Sequence, residues 1–167
     1  MVKITPILTD ITMLKVDVIA NAANETMAGG GGVDGAIHRA AGPKLVQETI
    51  KHAPLYVANI AITEAYNLRA KNIIHTVGPV YHHGNSGEYL ALKMCYKNIL
   101  KAADELGART VAIPAISTGV FGFPVSRAAK IAVETTIAVA KNAKNLEEVI
   151  LVAFDDNTLD AYNNLIK

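Results

Sequence analysis

Asn21-Ala22-Ala23-Asn24-Glu25-Thr26-Met27-Ala28-Gly29-Gly30-Gly31-Gly32-Val33-Asp34-Gly35 reads as the joint between a strand and a helix. An apolar run, Val16 to Ala20, leads into it, and a helical pattern leaves it from Ala36. Two amides flank a pair of small residues, then come four consecutive glycines and an aspartate. Glycine lets the main chain take positive φ and lets a ligand approach the backbone closely. The N–H groups at the start of a helix have no partner inside it and attract anions. The stretch therefore predicts a pocket for a phosphorylated small molecule, with Asn21, Asn24 and Asp34 at its rim. A merely flexible surface loop would accept serines equally well, and four glycines raise the entropy cost of ordering. The anion cradle is the better reading.

On the N-terminal side, Val2 to Leu8 reads as a first strand at an edge, and Val16 to Ala20 as a strand buried on both faces. Beyond the glycines a helix is expected from Asp34 to Ala41, stopped by Gly42-Pro43, with Pro43 opening a second helix to about Lys51. Val57 to Thr63 and Asn72 to Val77 are strands, and Tyr81 to Glu88 is a polar loop. Leu90, Leu92, Met94, Cys95, Ile99, Leu100, Ala103 and Leu106 mark an amphipathic helix ended by Gly107. Thr110 to Ile116 is a strand, followed by a second glycine-containing loop, Ser117 to Phe123, and a helix from Pro124. Val149 to Phe154 is the last strand and Asp155 to Lys167 a terminal helix. Alternating strands and helices predict a three-layer α/β/α sandwich with a mostly parallel sheet. Ligands of such sheets sit beyond the carboxyl ends of the strands, so Asn21 and Ser117 should lie on one side and their loops could close on one ligand.

Composition narrows the class. The 167 residues, 51% of them hydrophobic, suit a single domain spanning 1–167. No apolar run is long enough to cross a bilayer, and the N-terminus lacks the layout of a signal peptide. One cysteine, Cys95, leaves no internal disulfide and favours a reducing, cytoplasmic setting. A net charge of +1 does not call for nucleic acid, and the histidines show no metal-ligand spacing.

Individual side chains carry competing readings. Gly30 to Gly35 satisfies G-x-G-x-x-G, but the confirming acid should lie about 20 residues on at the end of the next strand, and the first acid near such a strand end, Glu64, lies too far along. Asn21 and Asn24 suit either turn bracing or the vicinal hydroxyls of a sugar. Asp34 suits the N-cap of the next helix, or a carboxylate facing a ribose hydroxyl or a water. His38 lies one turn later on the same face and could orient Asp34. His75 sits in an apolar strand as an interior histidine, and Asp10 suits a turn. Phe154, at the carboxyl end of the last strand, could stack on a base.

Taken together, Thr9-Asp10-Ile11-Thr12, Asn21 to Asn24, Gly29 to Asp34, Ala36 to Pro43, Ile74 to Pro79 and Pro114 to Pro124 resemble the macro domain, closest to its MacroD-type branch. The ordered set spans nearly the whole chain. The resemblance implies a mixed, mostly parallel sheet between helices and a cleft for ADP-ribose, with no cofactor and no metal. By it, Asp10 would bind the adenine amino group beside Ile11, and Phe154 would contact the ring. Ser117, Thr118, Gly119, Val120 and Phe121 would form the diphosphate loop, with Phe121 shielding the distal ribose. Gly31, Gly32 and Val33 would complete the phosphate cradle. Asn24 and Asp34 would hold the distal ribose and the reacting water, with Asn21 and His38 in support.

Members of that branch hydrolyse O-acetyl-ADP-ribose and ADP-ribosyl esters of protein carboxylates, so a hydrolase is implied, with mono-ADP-ribosylated proteins among its partners. Either Asp34 or a substrate phosphate would be the base. A non-catalytic ADP-ribose reader or an ADP-ribose 1″-phosphate phosphatase would use the same loops. The chain departs from the branch at Thr9, at Val57-Ala58-Asn59-Ile60 and at Ala65-Tyr66, all away from the two loops.

Overall fold

A computed structural model describes residues 1–167. Six strands form one sheet: β1 (Lys3–Leu8), β2 (Val18–Ala23), β3 (Ile60–Glu64), β4 (Asn72–Val77), β5 (Thr110–Pro114) and β6 (Glu148–Ala153). Their order is β1-β6-β5-β2-β4-β3. All neighbours run parallel except β3, which pairs antiparallel with β4 at one edge. The helices are α1 (Gly32–Ala41), α2 (Lys44–Thr49), α3 (Glu88–Glu105), α4 (Val125–Ala140) and α5 (Asp156–Ile166). The mixed, mostly parallel three-layer sandwich is the expected one, with β1 at the other edge.

Alternation along the strands builds two cores. Val18, Ala20, Val111, Ile113, Val149 and Leu151 face α3, α4 and α5, where Leu92, Ile99, Ala132 and Tyr162 meet them. The residues between them, Ile19, Ala112 and Ile150, turn to the opposite face with Ile37 of α1 and Leu45 of α2. A strand covered on both sides must be apolar at nearly every position, which is why the central strands read as continuous runs.

Element ends shift by small amounts. β2 continues through Asn21 to Ala23, so the glycine-bearing loop starts at Asn24. α1 starts at Gly32 with Gly31 as its cap, two residues before Asp34. Asp34 therefore does not fill the N-cap role; it lies inside the first turn. Glu88 is not a loop residue but the first residue of α3, almost fully buried. Its carboxylate accepts backbone N–H bonds from His82 (3.0 Å), His83 (3.2 Å), Gly84 (3.0 Å) and Ser86 (2.6 Å). The amides of His82, Gly84 and Ser86, His82 first, hold its carboxyl down at about 2. Glu88→Ala is expected to speed hydrogen exchange at these four amides and leave the β4 amides slow. Unchanged exchange in the loop would show that the carboxylate does not clasp it.

The candidate cleft at the carboxyl ends of the strands

Five loops leave the sheet at its carboxyl edge, and four of them, after β1, β6, β5 and β2, stand in one row. Asp10 and Ile11 follow β1, Phe154 follows β6, Ser117 to Phe121 follow β5, and Asn24 to Gly31 follow β2. Strands lie about 4.8 Å apart, so this row extends roughly 14 Å. A dinucleotide-sized ligand fits such a length.

At the β1 end, Asp10 caps a short 3₁₀ turn, its Oδ1 accepting from Thr12 N (2.9 Å) and Thr12 Oγ1 (2.7 Å). Oδ2 accepts no hydrogen bond from the protein. Ile11 is buried, whereas Phe154 is 86% exposed although it follows a buried strand directly. An aromatic ring left in solvent at a strand end offers a stacking face.

In the middle, the loop after β5 turns on Ser117, whose φ is +67°. Phe123 N donates to Ser117 O (2.9 Å) and Gly122 N to Gly119 O (3.0 Å), closing the loop on itself. The N–H groups of Gly119, Val120 and Phe121 donate to nothing in the protein, and Val120 is fully exposed. Tyr81 N donates to Phe121 O (2.8 Å), so the segment clasped by Glu88 braces this loop from behind. Gly78 packs against the loop's base: a methyl there would collide with Ser117 Oγ and Ile116 Cγ2. The Ser117 hydroxyl is buried without a partner.

The loop after β2 presents a second set of unengaged amides. Gly30, Gly31, Gly32 and Val33 donate no backbone hydrogen bond, and the first helical bond is Gly35 N to Gly31 O (3.1 Å). β2 and β5 are neighbours, so the two amide sets leave the sheet side by side. Backbone N–H groups that are unpaired at a helix start favour a phosphate.

The β2 end also gathers the polar side chains. Asn24 braces its own turn: Oδ1 accepts from Thr26 Oγ1 (2.7 Å) and Met27 N (3.2 Å), and Nδ2 donates to Gly29 O (3.0 Å). Asp34 is buried, and its Oδ1 accepts from Asn21 Nδ2 (2.8 Å). His38 Nε2 stands 3.4 Å from the same oxygen. Asp34 Oδ2 has no hydrogen bond. A β-carbon added to Gly30 would stand 3.0 Å from Asn24 Nδ2 and 3.2 Å from Asp34 Oδ2, so these two atoms converge beside Gly30. Asn21 corrects the expectation of a rim residue: it lies inside β2 with no exposure. Strand pairing places it opposite His75, and a hydrogen bond of 3.1 Å joins Asn21 Nδ2 to His75 Nδ1.

His75 is the interior histidine that its apolar strand predicts, but neither it nor Glu88 is expected from the sequence to bear on the cleft. His75 carried a signal, since a histidine inside an apolar strand must find partners. Its partners belong to other strands, and register is not written in any one segment. A groove of about 750 Å³ lies elsewhere, between the C-terminal halves of α3 and α4, and shares no residue with the cleft.

The architecture defines the class: an α/β protein whose ligand cleft opens beyond the carboxyl ends of a parallel sheet. The chain belongs to the macro domain family, residues 20–132 matching the Macro domain. It is 49% identical over 157 residues to a Macro domain-containing protein of Chlorobaculum tepidum, covering 94% of this chain and 91% of that one. It is 48% identical over 164 residues to the O-acetyl-ADP-ribose deacetylase of Klebsiella pneumoniae, covering 96% and 94%. The crystal structure of the Trypanosoma brucei macrodomain in complex with ADP-ribose superposes with a TM-score of 0.91 at 34% identity, covering 98% of this chain and 69% of that one.

Proposed function

We propose that the whole chain is one macro domain that binds ADP-ribose in this cleft and hydrolyses the ester bond of O-acetyl-ADP-ribose. The observation that carries the reading is the convergence of Asn24 Nδ2 and the unpaired Asp34 Oδ2 beside Gly30, next to two sets of unengaged amides. The names of the close relatives and of the ligand-bound neighbour point the same way.

Asp10, Ile11 and Phe154 take the adenine. The amides of Gly31, Gly32 and Val33, with those of Gly119, Val120 and Phe121, take the diphosphate, and Ser117 and Thr118 shape that second loop. The diphosphate then directs the distal ribose toward Asn24 and Asp34. A water held there attacks the acetyl carbonyl carbon. Its proton passes to Asp34 Oδ2, and the tetrahedral centre collapses by breaking the bond to the ribose oxygen. That oxygen is reprotonated, leaving acetate and ADP-ribose. Holding the water in place supplies up to about 7–11 kcal/mol, and base catalysis a further factor of about 10²–10⁴. ADP-ribose esterified to a protein carboxylate presents the same bond, so mono-ADP-ribosylated proteins are substrates of the same chemical class.

Incubating the protein with O-acetyl-ADP-ribose, ADP-ribosylated protein and ADP-ribose 1″-phosphate in parallel tests the reading. Acetate release is the expected result. Calorimetric binding of ADP-ribose with no turnover on either ester would make the protein a reader instead, and phosphate release alone would make it a phosphatase.

A further inference from the structure

The reaction as proposed uses Asp34 and leaves unexplained the buried polar chain behind it. That chain crosses three strands. Thr63 on β3, His75 on β4 and Asn21 on β2 are 6%, 0% and 0% exposed, and Asn21 reaches Asp34 on α1. The links are 3.0 Å from Thr63 Oγ1 to His75 Nε2, 3.1 Å from His75 Nδ1 to Asn21 Nδ2, and 2.8 Å from Asn21 Nδ2 to Asp34 Oδ1. We infer that His75 is a positioning residue for the reaction proposed above, acting through Asn21 to fix where the Asp34 carboxylate points. The inference rests on that reading of the cleft.

The direction of every hydrogen bond follows from one charge. Asn21 Oδ1 is buried with no partner. Turning the amide over would set that oxygen against the Asp34 carboxylate, and such repulsion is strong where water is excluded. The NH₂ group therefore faces Asp34 and His75, giving one hydrogen to each. His75 Nδ1 must then accept, which puts the ring proton on Nε2, where it donates to Thr63 Oγ1. The Thr63 hydroxyl passes its own hydrogen to Glu64 O at 3.0 Å. Each donor in the chain has a single place to go.

A protonated imidazole would break this order by turning an N–H toward the Asn21 amide. Burial, reinforced by the nearby His38 and His52, pushes the His75 ring down to about 3, so it stays an acceptor. With the acceptor gone, Asn21 keeps one tethered hydrogen and its amide can rotate, and Asp34 Oδ1 loses its fixed partner. Oδ2, the oxygen left for the water, then loses its aim.

The test uses two substitutions and one spectrum. In His75→Leu the acceptor is gone; in His75→Asn the new Oδ1 stands where Nδ1 does and can accept from Asn21. A small misplacement can cost about 10²-fold, so His75→Leu is expected to lower kcat by roughly 10- to 100-fold per folded molecule, with KM and ADP-ribose affinity within about twofold. His75→Asn is expected to recover kcat to within a few-fold of wild type even though its melting temperature falls. Equal kcat in all three proteins, or equal loss in both variants, would overturn the inference. Where His75→Leu does not fold, the long-range ¹⁵N–¹H spectrum of the wild-type ring decides: the Nε2–H tautomer is expected, and the Nδ1–H tautomer or a charged ring at neutral pH overturns the assignment. Absence of ester turnover by the wild type would defeat the proposed function, while the tautomer still judges the relay.

Discussion

Asp34→Asn lowers kcat on O-acetyl-ADP-ribose by about 10²–10⁴-fold, the usual worth of a general base, and leaves ADP-ribose affinity within a few-fold. The loss corresponds to roughly 3–5 kcal/mol of transition-state stabilisation. The substitution is chosen for what it keeps. Asparagine preserves the shape of the side chain, and its Oδ1 can still accept from Asn21. What it removes is an oxygen able to take a proton at Oδ2, which in the native protein has no hydrogen bond and faces Asn24 Nδ2 across Gly30. The comparison with Asp34→Ala then separates two roles. If alanine abolishes turnover while asparagine retains it, the carboxylate orients the ribose and the proton goes to a substrate phosphate. If both lose it, Asp34 is the base. Single-turnover kinetics beside calorimetry reads both quantities from the same preparations.

Gly35→Ala is expected to destabilise the protein and cripple the site, against the ordinary helix rule. Inside a helix, alanine normally gains roughly 0.5–1 kcal/mol over glycine. Here a β-carbon at Gly35 would stand 2.5 Å from the Gly30 carbonyl oxygen. The obstacle is backbone, so no side chain can rotate away, and either α1 or the glycine loop must move. Overpacking of this kind costs about 1–3 kcal/mol, and in a domain of this size each kcal/mol lowers Tm by about 2–4 °C. The loop that shifts carries the amides of Gly30 to Gly32 and the partners of Asn24, so ADP-ribose affinity and kcat both fall with it. A melting temperature at or above wild type, measured by calorimetry, would show that the contact between α1 and the loop is slack.

The parts of this protein that were readable in one dimension are those set by local rules. The largely apolar runs at Val16 to Ala20 and Val149 to Phe154 announced buried strands because a parallel strand covered on both sides has no polar face. The glycines and Asp34 announced the loop because few other residue types permit it. The end of β2 was misjudged for a physical reason. Asn21 reads as punctuation, since asparagine is common in turns, yet here it continues the strand because a carboxylate and an imidazole satisfy its amide in the interior. Those partners lie 13 and 54 residues away, and only strand register brings them together. Glu88 was misplaced for the same reason: as a lone acid after a glycine it resembles loop, and its four amide donors become visible only once the segment before α3 is folded back on it.

The sheet order has a consequence for how the protein is made. Of the six strands β1 is synthesised first, but its only neighbour in the sheet is β6, the sixth. β6 also joins β1 to β5, so the turn at Asp10 and the loop at Ser117 stay unconnected until the sixth strand has been synthesised. A nascent chain halted before Glu148 would carry Asp34 and both glycine-bearing loops yet lack the strand that joins β1 to the rest of the sheet. Competence arrives in one late step, with the final strand.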